Sequence, residues 1–184
     1  MTAPIGRDGI PAGPLRDLLD YWARLRRDGG PPPVSALELA EIPAALLRHI
    51  AVSTGRLPDG RMRLVFTGSV PIMFGGRDPT GLYMDEVYPP EHYALGLIFF
   101  NAIIDGRCPV YVEDAVGADG EVKVKVERLG LPFVGPDGTV ERIATGMVFH
   151  PLETARGGRF HTIRPDSPVE LVSRETRPVR LGPD

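Results

Sequence analysis

The stretch Arg61–Val87, RMRLVFTGSVPIMFGGRDPTGLYMDEV, decides how the rest of the chain is read. It opens as an alternating strand, which predicts Met62, Leu64 and Phe66 on one face and Arg61, Arg63 and Thr67 on the other. Ser69 is placed to cap one turn of helix through Phe74, with Gly75 as its stop. A charged, glycine-rich bend follows. Such a run suits either a phosphate cradle or the wall of a small-molecule pocket. Neither G-x-x-x-x-G-K-[ST] nor G-x-G-x-x-G occurs, and no long helix starts directly after the glycines, so the pocket wall is the better reading.

Working outward, His49–Leu57 and Arg61–Thr67 flank Pro58-Asp59-Gly60 and predict a hairpin. Upstream, Pro14–Asp28 reads as a helix that Gly29-Gly30 and three prolines end. Its Leu15, Leu18, Leu19, Trp22 and Leu25 form one apolar stripe. Ser35 and Glu38 predict a capping box on a short helix, and Pro43 opens another turn ending near Arg48. Downstream, Pro89–Gly106 is a helix apolar nearly all round, through Tyr93, Leu95, Leu97, Ile98, Phe99, Phe100, Ile103 and Ile104. Such a helix is buried on more than one side.

Three strands follow, Val110–Val116, Glu121–Leu131 and Thr139–Phe149, with turns at Gly117–Gly120 and Gly135–Gly138. In the middle one Val122, Val124 and Val126 face the core. Two strands, then helices, then a three-stranded meander predict an α+β domain: an antiparallel sheet with helices on one face. Residues 1–13 read as a disordered leader and 14–152 as the domain. Residues 153–184, with one apolar patch at Val169–Val172, read as a tail or an arm across the body.

The 184 residues are 42% hydrophobic and 24% charged, with a net charge of −3, values that suit a soluble globular chain. The charge is spread out, which argues against nucleic acid or an anionic membrane as partner, and no apolar run approaches a membrane span. The first residues lack the apolar core of a secretory signal, and a cytoplasmic location fits. A single cysteine, Cys108, excludes an internal disulfide framework and a cysteine-based zinc site.

Candidate chemistry is sparse. His49, His92, His150 and His161 show no metal-ligand spacing, so no metal is expected. Cys108, in GRCPVY at a strand entrance, reads as a buried structural thiol. Glu113 and Asp114 are adjacent on a strand and point to opposite faces, so they do not converge on one atom, and Asp85 reads as a turn cap. Arg61 and Arg63 read as solvated. No catalytic residue is assigned. Phe66, Phe74, Tyr83, Tyr93, Phe100 and Tyr111 fall on elements that would surround a cavity or pack a core. A buried tyrosine hydroxyl requires a hydrogen-bond partner, and a ligand could supply it.

The helix around YWARLRR, the run RLVFTGSVPIMFGGRDPTG and the final strand leading into VFHPLE resemble the PAS domains, and more narrowly the small bacterial single-domain PAS proteins, over residues 14–152. The resemblance implies a five-stranded antiparallel sheet whose short helices and long helix wall off a cavity. It implies a sensor of ligand or light, or a mediator of protein contacts. Carried onto this chain, the cavity wall comprises Leu64, Phe66, Ile72, Phe74, Tyr83, Tyr93, Leu97, Phe100 and Tyr111.

Some haem-binding PAS domains place their axial histidine on the helix corresponding to the one bearing His92, but the surrounding motif is lacking here. Flavin-binding members carry their cysteine in an N-C-R-F-L stretch, which is not the setting of Cys108. No bound cofactor is therefore expected. The expectation is a non-catalytic sensory or regulatory domain in bacterial signal transduction, binding a small ligand or a signalling protein partner, with output through that separate partner. The alternatives are a small isomerase or hydrolase with a cone-shaped pocket on a curved sheet, and a pure interaction scaffold. The stripe Leu15, Leu18, Leu19, Trp22 and Leu25, set off by Gly29-Gly30-Pro31-Pro32-Pro33, predicts a homodimer paired through this N-terminal amphipathic helix.

Overall fold

The computed structural model describes residues 3–118, 121–151 and 170–181. Helix α1 spans Pro14–Leu25 and α2 spans Ala44–Leu47. Strands β1 (Ile50–Thr54) and β2 (Leu64–Thr67) follow, then α3 (Ser69–Gly75), α4 (Met84–Val87) and α5 (Pro90–Gly106). Strands β3 (Val110–Ala118), β4 (Glu121–Val134), β5 (Val140–Pro151) and β6 (Glu170–Pro178) complete the chain. The fold is α+β, with one open antiparallel sheet of six strands in the order β2-β1-β5-β4-β3-β6.

Helices cover both faces of this sheet, not one. On the first face Leu15, Leu18, Leu19 and Trp22 of α1 pack with Ile50, Val52, Tyr111, Leu129, Leu131 and Phe133. On the second, Phe99 and Ile103 of α5 pack with Val110, Val112 and Ile143. The alternation along each strand makes both cores at once: Tyr111 faces α1 while Val110 and Val112 face α5. Gly130 and Gly146 let the helices approach. A Cβ on Gly146 would lie 2.7 Å from Leu18 and 2.8 Å from Leu15, and one on Gly130 would lie 2.7 Å from Phe99.

The stripe expected to pair two copies lies in this chain's own core. Leu15, Leu18, Leu19 and Trp22 are 0–3% exposed, and Leu25 packs against the same cluster. The Trp22 indole N–H donates to the Pro132 carbonyl at 2.8 Å. Burial stabilises each such side chain by roughly 1.5–3 kcal/mol, and the sheet already provides it. A second copy would have to pull α1 off the sheet to reach the stripe.

The ends also depart from expectation. Ile10 is fully buried and the Ile5 N–H donates to the Pro178 carbonyl, so the supposed leader is fastened down from Ile5 onward. Of the two readings of the C-terminal segment, a tail or an arm, the described part is an arm: it contributes β6, which pairs along β3 from Val110↔Pro178 to Gly117↔Glu170. Of its apolar patch, Leu171 and Val172 lie on β6 and Val169 lies outside the described residues.

Helix positions hold with shifted ends, while two expected caps do not form. Helix α1 stops at Leu25 rather than Asp28, because Arg26 turns extended at ψ 150° and Asp28 and Gly29 take positive φ. No capping box forms at Ser35 and Glu38; two separate 3-10 turns stand there, Val34–Ala36 and Leu39–Glu41. The Val134 N–H donates to the Pro32 carbonyl, which draws this segment along the sheet instead of into a helix. Helix α3 is entered through Gly68, not capped by the Ser69 hydroxyl, and leaves through Gly76 at φ 74°. At Gly68 a Cβ would lie 2.5 Å from the Leu47 carbonyl oxygen, so only glycine fits.

Candidate functional site

Chain order decides what covers the second face. Helices α3, α4 and α5 all lie between β2 and β3, the outer pair of the five strands that precede β6, so this run must cross the sheet. It closes over Ala51, Met62 and Leu64, with Met84 of α4 and Tyr93, Leu97, Phe100 and Ile104 of α5 packed around them. Backbone bonds hold the run to β2: Leu64 N–H to Leu82, Gly81 N–H to Leu64, and Met84 N–H to Met62.

Of the residues expected to wall a cavity, Leu64, Tyr93, Leu97 and Phe100 meet here. Phe74 stacks on Phe149 of β5, ring centroids 3.7 Å apart at 11°. Ile72 is half-buried on α3. Tyr83 lies at the margin beneath the Arg61 guanidinium, 3.6 Å from its ring centre. Phe66 and Tyr111 belong to the opposite face. For Tyr111 the alternation of β3 settles the side.

Phe66 was expected beside Leu64, and the reason it is not lies in one residue. Val52 pairs with Phe66 and Ser53 with Leu64, so Val65 is an extra residue bulged from β2 and 41% exposed. A bulge of one residue reverses the faces beyond it. Leu64 therefore points to α5 and Phe66 to α1.

Two charged residues enter this face with the apolar ones. Val110, Val112 and Asp114 share one side of β3, and Val124, Val126 and Arg128 one side of β4. Asp114 stands opposite Val126, so Arg128 is its diagonal neighbour, and the Arg128 guanidinium pairs with the Asp114 carboxylate. The Asp114 side chain is wholly buried and that of Arg128 is 23% exposed. The guanidinium also lies 5.6 Å from the centre of the Phe99 ring, an attractive cation–π geometry.

The Tyr88 phenol belongs to the same neighbourhood. Burial of its hydroxyl end drives its pKa up and the Arg128 charge opposes that shift, although 45% of the residue's surface is exposed. Ser53 is 2% exposed and its hydroxyl has no hydrogen-bond partner among the described residues.

The opposite face ends in a different polar group. The Tyr111 hydroxyl lies 3.0 Å from Glu113 Oε1 and 2.5 Å from Glu127 Oε1, and Glu127 Oε2 lies 2.7 Å from His150 Nε2. Burial pushes the Tyr111 phenol far up, and hydrogen bonding and charge from Glu127 and Glu113 push it further. Glu113 and Asp114 do point to opposite faces, as their adjacency requires.

The remaining sequence candidates are local. Arg61 is not merely solvated; it bonds both Asp85 oxygens, at 2.8–3.1 Å, and Glu86 at 2.7 Å. Asp85 is that partner rather than a turn cap, and Glu86 accepts the Tyr83 N–H at 3.2 Å. Arg61 holds both carboxyls below their usual range. The His49 ring meets the Met147 carbonyl at 3.1 Å, His92 stands in the first turn of α5, and His161 lies outside the described residues. Burial pushes the Cys108 thiol up, away from the reactive thiolate. Among the described residues no three His, Cys, Asp or Glu side chains come together so as to hold a metal ion, and no helix is long and apolar enough to cross a membrane.

Sequence reasoning passed over Arg128, and it weighed Asp114 only as half of an acidic pair with Glu113. Their signal was present: in EVKVKVER the inward positions Val124 and Val126 continue to Arg128, and in VYVED the positions Val110 and Val112 continue to Asp114. A charge at an inward position is the exception worth reading. No protein-family model and no curated protein matches the chain.

Proposed function

We propose that this chain is a non-catalytic sensory or regulatory domain of PAS type, which takes a small molecule or a protein segment on the α5 face and passes the result to a separate signalling partner. The observation that carries the reading is the closure of α3, α4 and α5 over one sheet face. It gathers Leu64, Tyr93, Leu97 and Phe100 on the same side as a buried Arg128–Asp114 pair. An apolar enclosure with a few convergent polar groups is the usual composition of a ligand site. A buried ion pair is weak evidence for stability, since apolar replacements of equal volume often stabilise more, and a role in recognition accounts for its presence. The resemblance of residues 14–152 to PAS domains supports the same assignment, and the antiparallel sheet agrees with it in class, with six strands where the resemblance implies five.

Conformational change then follows from differential affinity: a ligand shifts the equilibrium only as far as it binds one arrangement of α3–α5 better than another. Native mass spectrometry on the freshly purified full-length chain tests the proposal, with an absorption spectrum alongside. The expected result is a bound small molecule that denaturation releases and that the Arg128→Met variant no longer retains, with no Soret or flavin band. A ligand retained equally by Arg128→Met would remove the pair from recognition. A chain that carries nothing and shows no shift on screening against metabolites would favour the interaction scaffold, which the close packing of α5 on Gly130 also suits.

A further inference from the structure

We propose that residues 5–10 form a hook that governs whether the C-terminal strand β6 stays docked, making β6 a separately releasable edge of the sheet. The hook is built from backbone bonds at one end and a buried plug at the other. Ile5 donates its N–H to the Pro178 carbonyl at 3.0 Å and accepts the Arg180 N–H at 2.9 Å, so it bridges Val179 in parallel. The chain then reverses in the 3-10 turn Arg7–Gly9, with Gly9 N–H to Gly6 and Ile10 N–H to Arg7. The reversal is tight enough that a Cβ on Gly9 would lie 3.0 Å from that of Ile5. Ile10 ends the turn fully buried in the α1 core, in the same cluster as Val179.

Helix α1 holds the other side of the hook. Arg7 bonds both Asp20 oxygens at 2.5–2.6 Å, and Arg16 Nε donates to the Ile10 carbonyl at 2.8 Å. The hook therefore ties α1 to the last residues of β6. Strand β6 stands at the end of the sheet, and its strand pairing is to β3 alone. Beyond that pairing, the backbone bonds at its C-terminal end are those to Ile5 and the Val179 N–H to Pro109. Helix α5 also touches β6, but a strand paired along one edge opens at lower free energy than the central strands β5 and β4, which are paired on both edges. Its release would bare the outer edge of β3 from Val110 to Gly117 while leaving the cores of β1, β5 and β4 in place.

Hydrogen–deuterium exchange on the full-length chain tests it with two variants. Ile5→Pro removes the N–H donor to Pro178 together with the half-buried Ile5 side chain that packs on the α1 core, and Ile10→Ser removes the buried plug. Exchange in 170–178 should accelerate at least about fivefold in Ile5→Pro, the factor given by losing one hydrogen bond worth about 1 kcal/mol, with the lost Ile5 packing adding to it. It should accelerate further in Ile10→Ser, while 143–145 in β5 keeps its wild-type rate in Ile5→Pro. Unchanged exchange in 170–178 for Ile5→Pro would overturn the proposal. So would equal acceleration of 170–178 and 143–145 in that variant, because β6 would then open only with the whole sheet.

Discussion

Helices α1 and α5 each press against the sheet at a glycine, Gly146 under α1 and Gly130 under α5, yet the two faces are built differently. Under α1 the core is one continuous apolar cluster from Ile10 to Val179, with Tyr111, Glu127 and His150 as a polar group at its margin and only the neutral Tyr21 hydroxyl buried beside it without a partner among the described residues. Under α5 it divides into two smaller clusters, and Asp114, Arg128 and the Ser53 hydroxyl are buried with them. Helix α1 has a polar side to give to water. Helix α5 does not, and leaves Ile98 55% exposed. One face is organised for stability, while the other accepts desolvated charge and exposed apolar surface.

Truncation separates the faces most sharply. Trp22→Ala should cost about 3–5 kcal/mol, because it empties an aromatic volume under α1 and strands the Pro132 carbonyl. Urea denaturation reads this, and a loss below 1 kcal/mol would deny α1 its place in the core. On the other face, Asp114→Ala should cost about 3 kcal/mol by leaving Arg128 without its carboxylate. The double variant Asp114→Leu/Arg128→Met should recover most of that loss. If it recovers nothing, the pair is structural and the contrast between the faces weakens.

The two glycines test the helix contacts themselves. Gly130→Ala and Gly146→Ala should each cost about 1–3 kcal/mol through overpacking. Gly130 should be the worse, since its Cβ would fall 2.2 Å from Ile103 Cδ1 against 2.7 Å from Leu18 Cδ2 at Gly146. The reverse order in thermal melts would place the tighter contact under α1.

A pH titration sharpens the margin of the α1 face. The Tyr111 phenol is raised in the folded state, so its contribution is complete below the ordinary tyrosine value of about 10 and is lost as pH rises above it. Stability should therefore fall above about pH 10, and fall less steeply in Tyr111→Phe. Identical alkaline slopes would mean that the hydroxyl is not held by Glu127 and Glu113. The smallest effect belongs to Arg61→Gln. Its ion pairs with Asp85 and Glu86 are exposed, so the melting temperature should hardly move, and high salt should erase what difference there is.

Period and punctuation in the sequence determined the elements. The stripe of α1, the all-round apolarity of Pro90–Gly106 and the alternation of β3, β4 and β5 follow from 3.6- and 2-residue repeats, which are local. The same local rule placed Arg128 and Asp114 inward, because parity along a strand continues until a bulge breaks it. What the sequence could not settle was which surface each apolar face meets. The α1 stripe looks identical whether it covers a second copy or its own sheet, since burial releases the same free energy either way. The side of Phe66 turned on one bulged residue, Val65, whose cause is the pairing with β1 and not the strand's own pattern. Strand β6 and the hook at Ile5 and Ile10 depend on contacts between the two ends of the chain, and no local period encodes a partner that distant.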